Sequence, residues 1–337
     1  MKQKRISFLV LIISCLSVFV LTITFSTLIG SREPVNTVTT LVRDCPSTMD
    51  QIRIKRYKYV EPLILATINT ESASLKRIRM NVENYISNAK STQKIEEISV
   101  YLRRLNDGAW FSINPNEHYN PASMSKIIYL ITYLKEAENN PGLLNKKLYF
   151  ARHYSQGNNP NILDYQLPEN REYTVRELLT VMIKYSDNDA TLLLSQNMNL
   201  STYKQIFADF NIPEPPEFGE YFITCEDYSK FFRALYNGSY IKPELSDLGL
   251  TILTSSTFKG GILQGIDPNL PVAHKFGERI IGSKAQLHEF AIVFIDNNPY
   301  MLGIMSKGSS LQQLSIILGE VSKLVYTDYR QMFGQGV

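Results

Sequence analysis

Three short groups of residues in this chain could do chemistry together: Ser123 with Lys126, Ser186-Asp187-Asn188, and Lys275-Phe276-Gly277. A serine hydroxyl is a poor nucleophile until a base takes its proton. An amine held in a crowded, partly desolvated site can have its pKa lowered enough to act as that base. Ser123 lies in Asn120-Pro121-Ala122-Ser123-Met124-Ser125-Lys126, followed at once by Ile127-Ile128-Tyr129-Leu130-Ile131. Pro121 suits the first turn of a helix, and the apolar run behind it can bury that helix on several sides. Ser123 is thus expected at a helix N-terminus, where unpaired N–H groups and the macrodipole favour negative charge. Lys126, one turn on, shares its face.

Ser-x-x-Lys alone carries little weight, since it recurs at Ser87, Ser91, Ser201, Ser239 and Ser256, and Ser-x-Asn recurs at Ser112 and Ser195. The order of the three groups is more specific. Ser-x-x-Lys, Ser-Asp-Asn and Lys-Thr-Gly, in that sequence, mark class A β-lactamases and penicillin-binding proteins. The chain resembles that family, and by its spacing the class A β-lactamase branch, from about residue 73 to the C-terminus. The resemblance implies that Ser123 forms an acyl-enzyme and that Lys126 accepts its proton, directly or through a water. Ser186 would pass the proton to the leaving nitrogen, Asn188 would orient substrate and the Lys126 ammonium, and Lys275 would supply positive potential. The backbone N–H groups of Ser123 and Glu278 would form the oxyanion hole, with donors worth about 3 kcal/mol each. Gly277 and Arg279 would line the substrate.

Two departures from the family pattern bear on activity. Phe276 replaces the Thr or Ser of the third group, so the hydroxyl that would bond a substrate carboxylate is missing; Arg279 or Lys284 is placed to compensate. Lys259-Gly260-Gly261 also fits Lys-x-Gly but lies in a Gly-rich loop without strand alternation, which leaves Lys275 as the choice. The interval between Asn188 and Lys275 is also short. Class A enzymes carry there a Glu-Pro-Glu-Leu-Asn loop whose glutamate activates the deacylating water. The corresponding stretch here is Asn211 to Glu220, where Glu214 and Glu217 are the candidates, either for that base or as solvated loop carboxylates. His274 and His288 flank the cleft strands and read as hydrogen-bonded packing residues, with Glu289 placed to pair with His288.

Elements at both ends of the chain must position these groups. Leu75, Ile78, Val82, Tyr85 and Ile86 recur at helical spacing. Ile98 to Leu102 alternates as a strand, Asn106-Asp107-Gly108 turns, and Ala109 to Ile113 returns, with Trp110 as a packing residue. From Lys126 to about Tyr240 the pattern is mainly helical. Thr174 and Glu177 form a capping box for a helix ending at Tyr185, and a second helix from Asp189 to Gln196 leaves Ser186 and Asn188 on the connection. Val272 to Gly277 reads as a strand, Leu287 to Ile295 and Tyr300 to Met305 as a hairpin, and Leu311 to Leu324 as a closing helix. The expected fold is α/β (α+β) and β-lactamase/transpeptidase-like. An antiparallel five-stranded sheet is flanked by terminal helices, an all-helical lobe of about 125–265 is inserted, and an N-terminal transmembrane helix precedes them.

The 337 residues are 44% hydrophobic, enough for a large core, and a net charge of +3 argues against nucleic-acid binding. Cys15, Cys45 and Cys225 are too few for a disulfide framework, although Cys45 with Cys225 is an open pairing. No Cys/His cluster has metal-ligand spacing, so no metal and no other cofactor is expected. Lys2, Lys4 and Arg5 precede an apolar stretch from Ile6 to Ile29, long enough for a bilayer that needs about 20 residues. No small-x-small cleavage site follows, which favours an uncleaved anchor over a removed signal. The expected organisation is an anchor or signal at 1–30, an extracytoplasmic stalk at 31–72 and a serine hydrolase domain at 73–337, monomeric and outside the cytoplasm. Three functions stay open: a class A β-lactamase-like hydrolase; a penicillin-binding-type D-Ala-D-Ala carboxypeptidase or esterase with weak deacylation; and an inactive peptidoglycan-binding module. Their partners would be a β-lactam or cell-wall peptide and the membrane.

Overall fold

The computed structural model describes residues 49–54, 63–68, 70–92, 95–153, 165–295 and 297–333. In chain order it begins with a hairpin, β1 (Met49–Arg53) and β2 (Leu63–Ile68), then α1 (Lys76–Ser91), β3 (Glu97–Arg104), β4 (Trp110–Ile113) and the short β5 (His118–Tyr119). The middle of the chain holds α2 (Lys126–Ala137), β6 (Lys147–Phe150), β7 (Arg171–Thr174), α3 (Val175–Lys184), α4 (Asn188–Asn197) and α5 (Leu200–Phe210). The two-residue β8 (Ile223–Thr224) leads into α6 (Cys225–Asn237) and α7 (Pro243–Thr254). The chain closes with β9 (Val272–Ile281), β10 (Lys284–Val293), β11 (Tyr300–Gly308) and α8 (Leu311–Phe333).

Five strands form one antiparallel sheet in the order β4-β3-β11-β10-β9, so both ends of the sequence meet where β3 pairs with β11, with Leu102 opposite Leu302. Period-two alternation assigns the faces. Val100, Leu102, Leu302, Ile304 and Phe276 look toward Ile78, Val82, Leu318 and Val321 of α1 and α8. Tyr101, Phe290, Ile292 and Met305 look toward the helical lobe, where Ile127, Leu178, Phe231 and Leu253 share one core. Each such fully buried side chain stabilises the fold by about 1.5–3 kcal/mol. Trp110 packs as expected, stacked on Tyr101 with centroids 5.9 Å apart.

Local signals set the helix ends. Thr174 accepts the Glu177 N–H while the Glu177 carboxylate accepts the Thr174 N–H, so the expected capping box starts α3. Thr224 caps α6, and Pro243 occupies the first turn of α7, where its missing N–H costs nothing.

Four expectations change. The inserted lobe is not all helical, because β6 and β7 pair within it, Leu148 opposite Tyr173. Four-residue strands are too short to show a period against helical flanks. Part of the segment read as a stalk is packed: Ile52, Ile64 and Leu65 are buried in the main core, and Arg233 donates to the Ala66 carbonyl at 2.8 Å. The closing helix runs on to Phe333, with Tyr329 buried against Tyr300. β9 and β10 form a further hairpin through Gly282, whose φ of +58° suits glycine. The apolar stretch from Ile6 to Ile29 and Cys45 lie outside the described residues. Among the described residues, no helix is long and apolar enough to cross a membrane. Cys225 is a free, buried thiol.

Candidate active site

Ser123 sits in a single 3-10 turn, Ala122–Ser125, that leads directly into α2, so Lys126 opens the helix one turn beyond it. The turn is braced on all sides. Ala122 N–H donates to Asn120 Oδ1 at 3.0 Å, the Ser125 hydroxyl to the Ala122 carbonyl at 2.8 Å, and the Tyr228 hydroxyl to the Met124 carbonyl at 2.8 Å. Ala122 is held at φ +48° and Ser186 at φ +52°, a left-handed conformation that costs a side-chain-bearing residue about 1–2 kcal/mol. Both strained positions belong to the site.

The Lys126 amine is the hub. Its Nζ lies 3.1 Å from Ser123 Oγ, 3.1 Å from Ser186 Oγ, 2.6 Å from the Ser186 carbonyl and 2.7 Å from Asn188 Oδ1. Burial pushes its pKa down to about 7, against a smaller opposing effect of the Asp187 carboxylate. A neutral amine has two N–H donors and one lone pair. The Ser186 carbonyl and Asn188 Oδ1 accept the two N–H bonds, which leaves the lone pair for a hydroxyl proton from Ser123 or Ser186.

Lys275 approaches Ser186 from the sheet. Its Nζ lies 3.0 Å from Ser186 Oγ and 2.7 Å from the Phe276 carbonyl. It is fully buried, and burial first, then the neighbouring Lys126, holds its pKa well below the usual lysine range. Ser123 is half-buried and Asn188 exposed, so the cluster opens to solvent at the nucleophile end. Such an arrangement can move a proton from one hydroxyl to an amine and on to a second hydroxyl.

The strand carrying Lys275 approaches the nucleophile turn so closely that only glycine fits at 277. A Cβ there would lie 2.5 Å from the Pro121 carbonyl oxygen and 2.9 Å from the Met124 nitrogen. The backbone N–H groups of Ser123 and Glu278 flank this contact. His288, on the neighbouring β10, secures the same turn. Its Nδ1 accepts the Ser306 N–H at 3.1 Å, so the ring proton is on Nε2, which donates to the Asn120 carbonyl at 3.1 Å. Burial pushes its pKa down to about 3, keeping the ring neutral.

The remaining candidates are placed elsewhere. Glu289 pairs with His274, not His288, at 2.8 Å, because its side chain points to the opposite face of the sheet, and it also accepts the Ile262 N–H at 2.7 Å. Glu214 is exposed and 3.7 Å from Lys204, and Glu217 is exposed. Among the described residues no carboxylate, Glu214 and Glu217 included, hydrogen-bonds Ser123 or Lys126. Arg279 pairs with Glu220 at 2.5 Å and Lys284 with Glu96 at 2.8 Å, which neutralises the two cations expected to compensate for Phe276.

Two neighbours of the site have no role in the sequence reading. Tyr165 stacks on Tyr185 with centroids 4.0 Å apart, one residue before Ser186, and Asp187 caps α4 by accepting the Ala190 N–H at 2.7 Å. The aspartate could have been found as a helix N-cap; the tyrosine pair is made by tertiary structure alone.

A family model described as the beta-lactamase enzyme family matches residues 81–329. A mutant of PBP-A, solved as an acyl-enzyme complex with penicillin G, is 21% identical, with 75% of this chain and 97% of that chain covered and a TM-score of 0.62. A β-lactamase from Chitinophaga pinensis DSM 2588 is 14% identical, with 75% and 99% covered and a TM-score of 0.63. A variant of the last common ancestor of Gram-negative bacteria class A β-lactamase is 17% identical, with 74% and 99% covered and a TM-score of 0.62. No curated protein matches the chain.

Proposed function

The chain belongs to the beta-lactamase enzyme family, and from that premise we propose that it is an active-site-serine hydrolase with penicillin-binding-type kinetics, opening amide or ester bonds by fast acylation of Ser123 and slow release. Neutral Lys126 takes the Ser123 proton as Oγ attacks the carbonyl carbon. The Ser186 hydroxyl, polarised by Lys275, returns a proton to the departing heteroatom, and the N–H groups of Ser123 and Glu278 receive the oxyanion. Water then cleaves the acyl-enzyme.

The observation that supports slow release is the set of partners at the nucleophile: among the described residues Lys126 and Ser123 bond hydroxyls, a carbonyl and an amide, and no carboxylate. On this reading a water attacking the ester depends on the same amine that served acylation. The apolar stretch Ile6 to Ile29 after Lys2, Lys4 and Arg5 supports an extracytoplasmic position for the domain, held at the membrane.

Intact mass after mixing with a penicillin and, in parallel, an activated ester tests the reading. An adduct on Ser123 that persists for hours and is missing in Ser123→Ala supports it. Rapid turnover of the penicillin with no accumulated adduct favours an efficient β-lactamase, and failure of both reagents to label folded protein removes the acyl-enzyme altogether.

A further inference from the structure

Lys275 stands on β9 at one edge of the sheet, and Arg103 stands on β3, beside the opposite edge strand. Arg103 is 8% exposed and donates through Nη2 to the Ala66 carbonyl of β2 at 3.1 Å. Arg233 of α6, 4% exposed, donates through its own Nη2 to the same carbonyl at 2.8 Å and to the Thr67 hydroxyl at 2.8 Å. Two guanidinium groups thus meet at one oxygen that either alone would satisfy. The β3–β4 turn also presses on Arg103, since a Cβ at Gly108 would lie 2.7 Å from its Nη2.

Both arginines line a cavity of about 230 Å³ between the β1–β2 hairpin, the β3–β4 turn and α6. A water takes about 30 Å³ in the liquid, so a four-oxygen anion fits there together with several waters. Arg103 Nη1 has no hydrogen-bond partner. Among the described residues no carboxylate bonds either guanidinium. Glu226 acts on Arg233 only through its charge, and Asp107, which also lines the cavity, pairs with Arg104 at 3.4 Å. Burial pushes the Arg233 pKa down to about 10 and Arg103 adds to this, against opposing effects of Tyr101 and Glu226, so the side chain is still cationic at neutral pH. Buried cations without a bonded counter-charge are costly, and the walls formed by Met49, Ile68 and Leu105 strengthen any attraction to an anion. The planar guanidinium fork matches an anion with several acceptor oxygens, and such a group would satisfy both the charge and the free N–H edge.

We propose that this cavity binds a phosphate group between the Arg103 and Arg233 guanidiniums. A phosphate there would fasten the β1–β2 hairpin to β3 and α6, because the same two side chains already hold Ala66 and Thr67. Free phosphate and the phosphodiester headgroup of an anionic lipid share this chemistry, and the apolar stretch from Ile6 to Ile29 that precedes β1 in the chain makes both sources relevant.

Trp110 reads the site. It is the only tryptophan in the chain, stands opposite Arg103 in the β3–β4 pair and donates its Nε1–H to the Ile68 carbonyl at 2.6 Å. Full-length protein in a non-ionic detergent is titrated with sodium phosphate at constant ionic strength, with chloride in the control, and Trp110 fluorescence is followed. The wild type is expected to give a saturable change and to melt at a higher temperature in saturating phosphate than in chloride. Arg103→Met should fold, because Arg233 still satisfies Ala66, and should raise the half-saturating concentration at least about tenfold. Arg103→Lys, which keeps the charge and loses the fork, should raise it by a smaller factor. Glycerophosphoglycerol in the same titration separates the sources: tighter binding than inorganic phosphate assigns a lipid headgroup, and equal or weaker binding assigns free phosphate. An identical response to phosphate and chloride, or wild-type affinity in folded Arg103→Met, overturns the site. If Arg103→Met does not fold, Arg103→Lys decides, and wild-type affinity in that variant overturns the site equally.

Discussion

Lys126 and Lys275 converge on one atom: the Ser186 hydroxyl oxygen lies 3.1 Å from the first amine and 3.0 Å from the second. Two ammonium groups so close, both buried, disfavour each other's protonation, and a hydroxyl between two amines is well placed to relay a proton.

The acylation rate should follow the neutral fraction of Lys126. With its pKa near 7, the rate climbs about tenfold per pH unit below that value and levels off above it. Stopped-flow labelling of Ser123 between pH 5 and 9 measures this; a flat profile would show that another group takes the proton.

The same shift affects stability. The folded state holds Lys126 near pKa 7, whereas an unfolded lysine stays protonated to about 10.4, so between these values the unfolded chain binds more protons. Unfolding free energy should therefore rise with pH from about 7 to 10, by at most about 1.4 kcal/mol per pH unit from this residue. Urea titrations across that range should show the slope, and Lys126→Met should reduce it.

Gly277→Ala should uncouple strand from nucleophile turn. The added Cβ meets backbone atoms of Pro121 and Met124, which can give only by moving the turn. A stability loss of about 1–3 kcal/mol is expected, with acylation slowed at least about a hundredfold. Wild-type labelling kinetics in this variant would mean that the close approach is not needed for chemistry.

Behind the sheet, Glu289 joins His274 to the Ile262 amide with almost no exposure. Glu289→Leu strands two buried donors and should cost about 3–5 kcal/mol; Glu289→Gln, which retains an acceptor, should cost less. Chemical denaturation of the two variants checks the order.

At the helix start, Thr174→Ala removes the cap oxygen that accepts the Glu177 N–H. A loss of about 1 kcal/mol is expected with little change in acylation, because the cap lies one helix away from Ser186. Thermal unfolding beside labelling kinetics separates the two effects.

Local chemistry made much of this protein legible as a sequence. Periodicity marked α1, β3 and β9, the Thr174–Glu177 box marked the start of α3, and the order of Ser123, Ser186 and Lys275 pointed to one cleft. Each of these is a relation among residues within a few turns, or a pattern of residue types, that the chain displays without folding. Whether Glu289 faced His288 or His274 depended on which side of the sheet each residue occupies. Whether Glu217 could reach the acyl group, whether Arg279 was available to a substrate, and what Phe276 would touch depended on contacts between segments far apart in the chain. Tertiary packing decided them: it brought Phe258 against Phe276, Glu220 against Arg279 and Gly277 against Pro121.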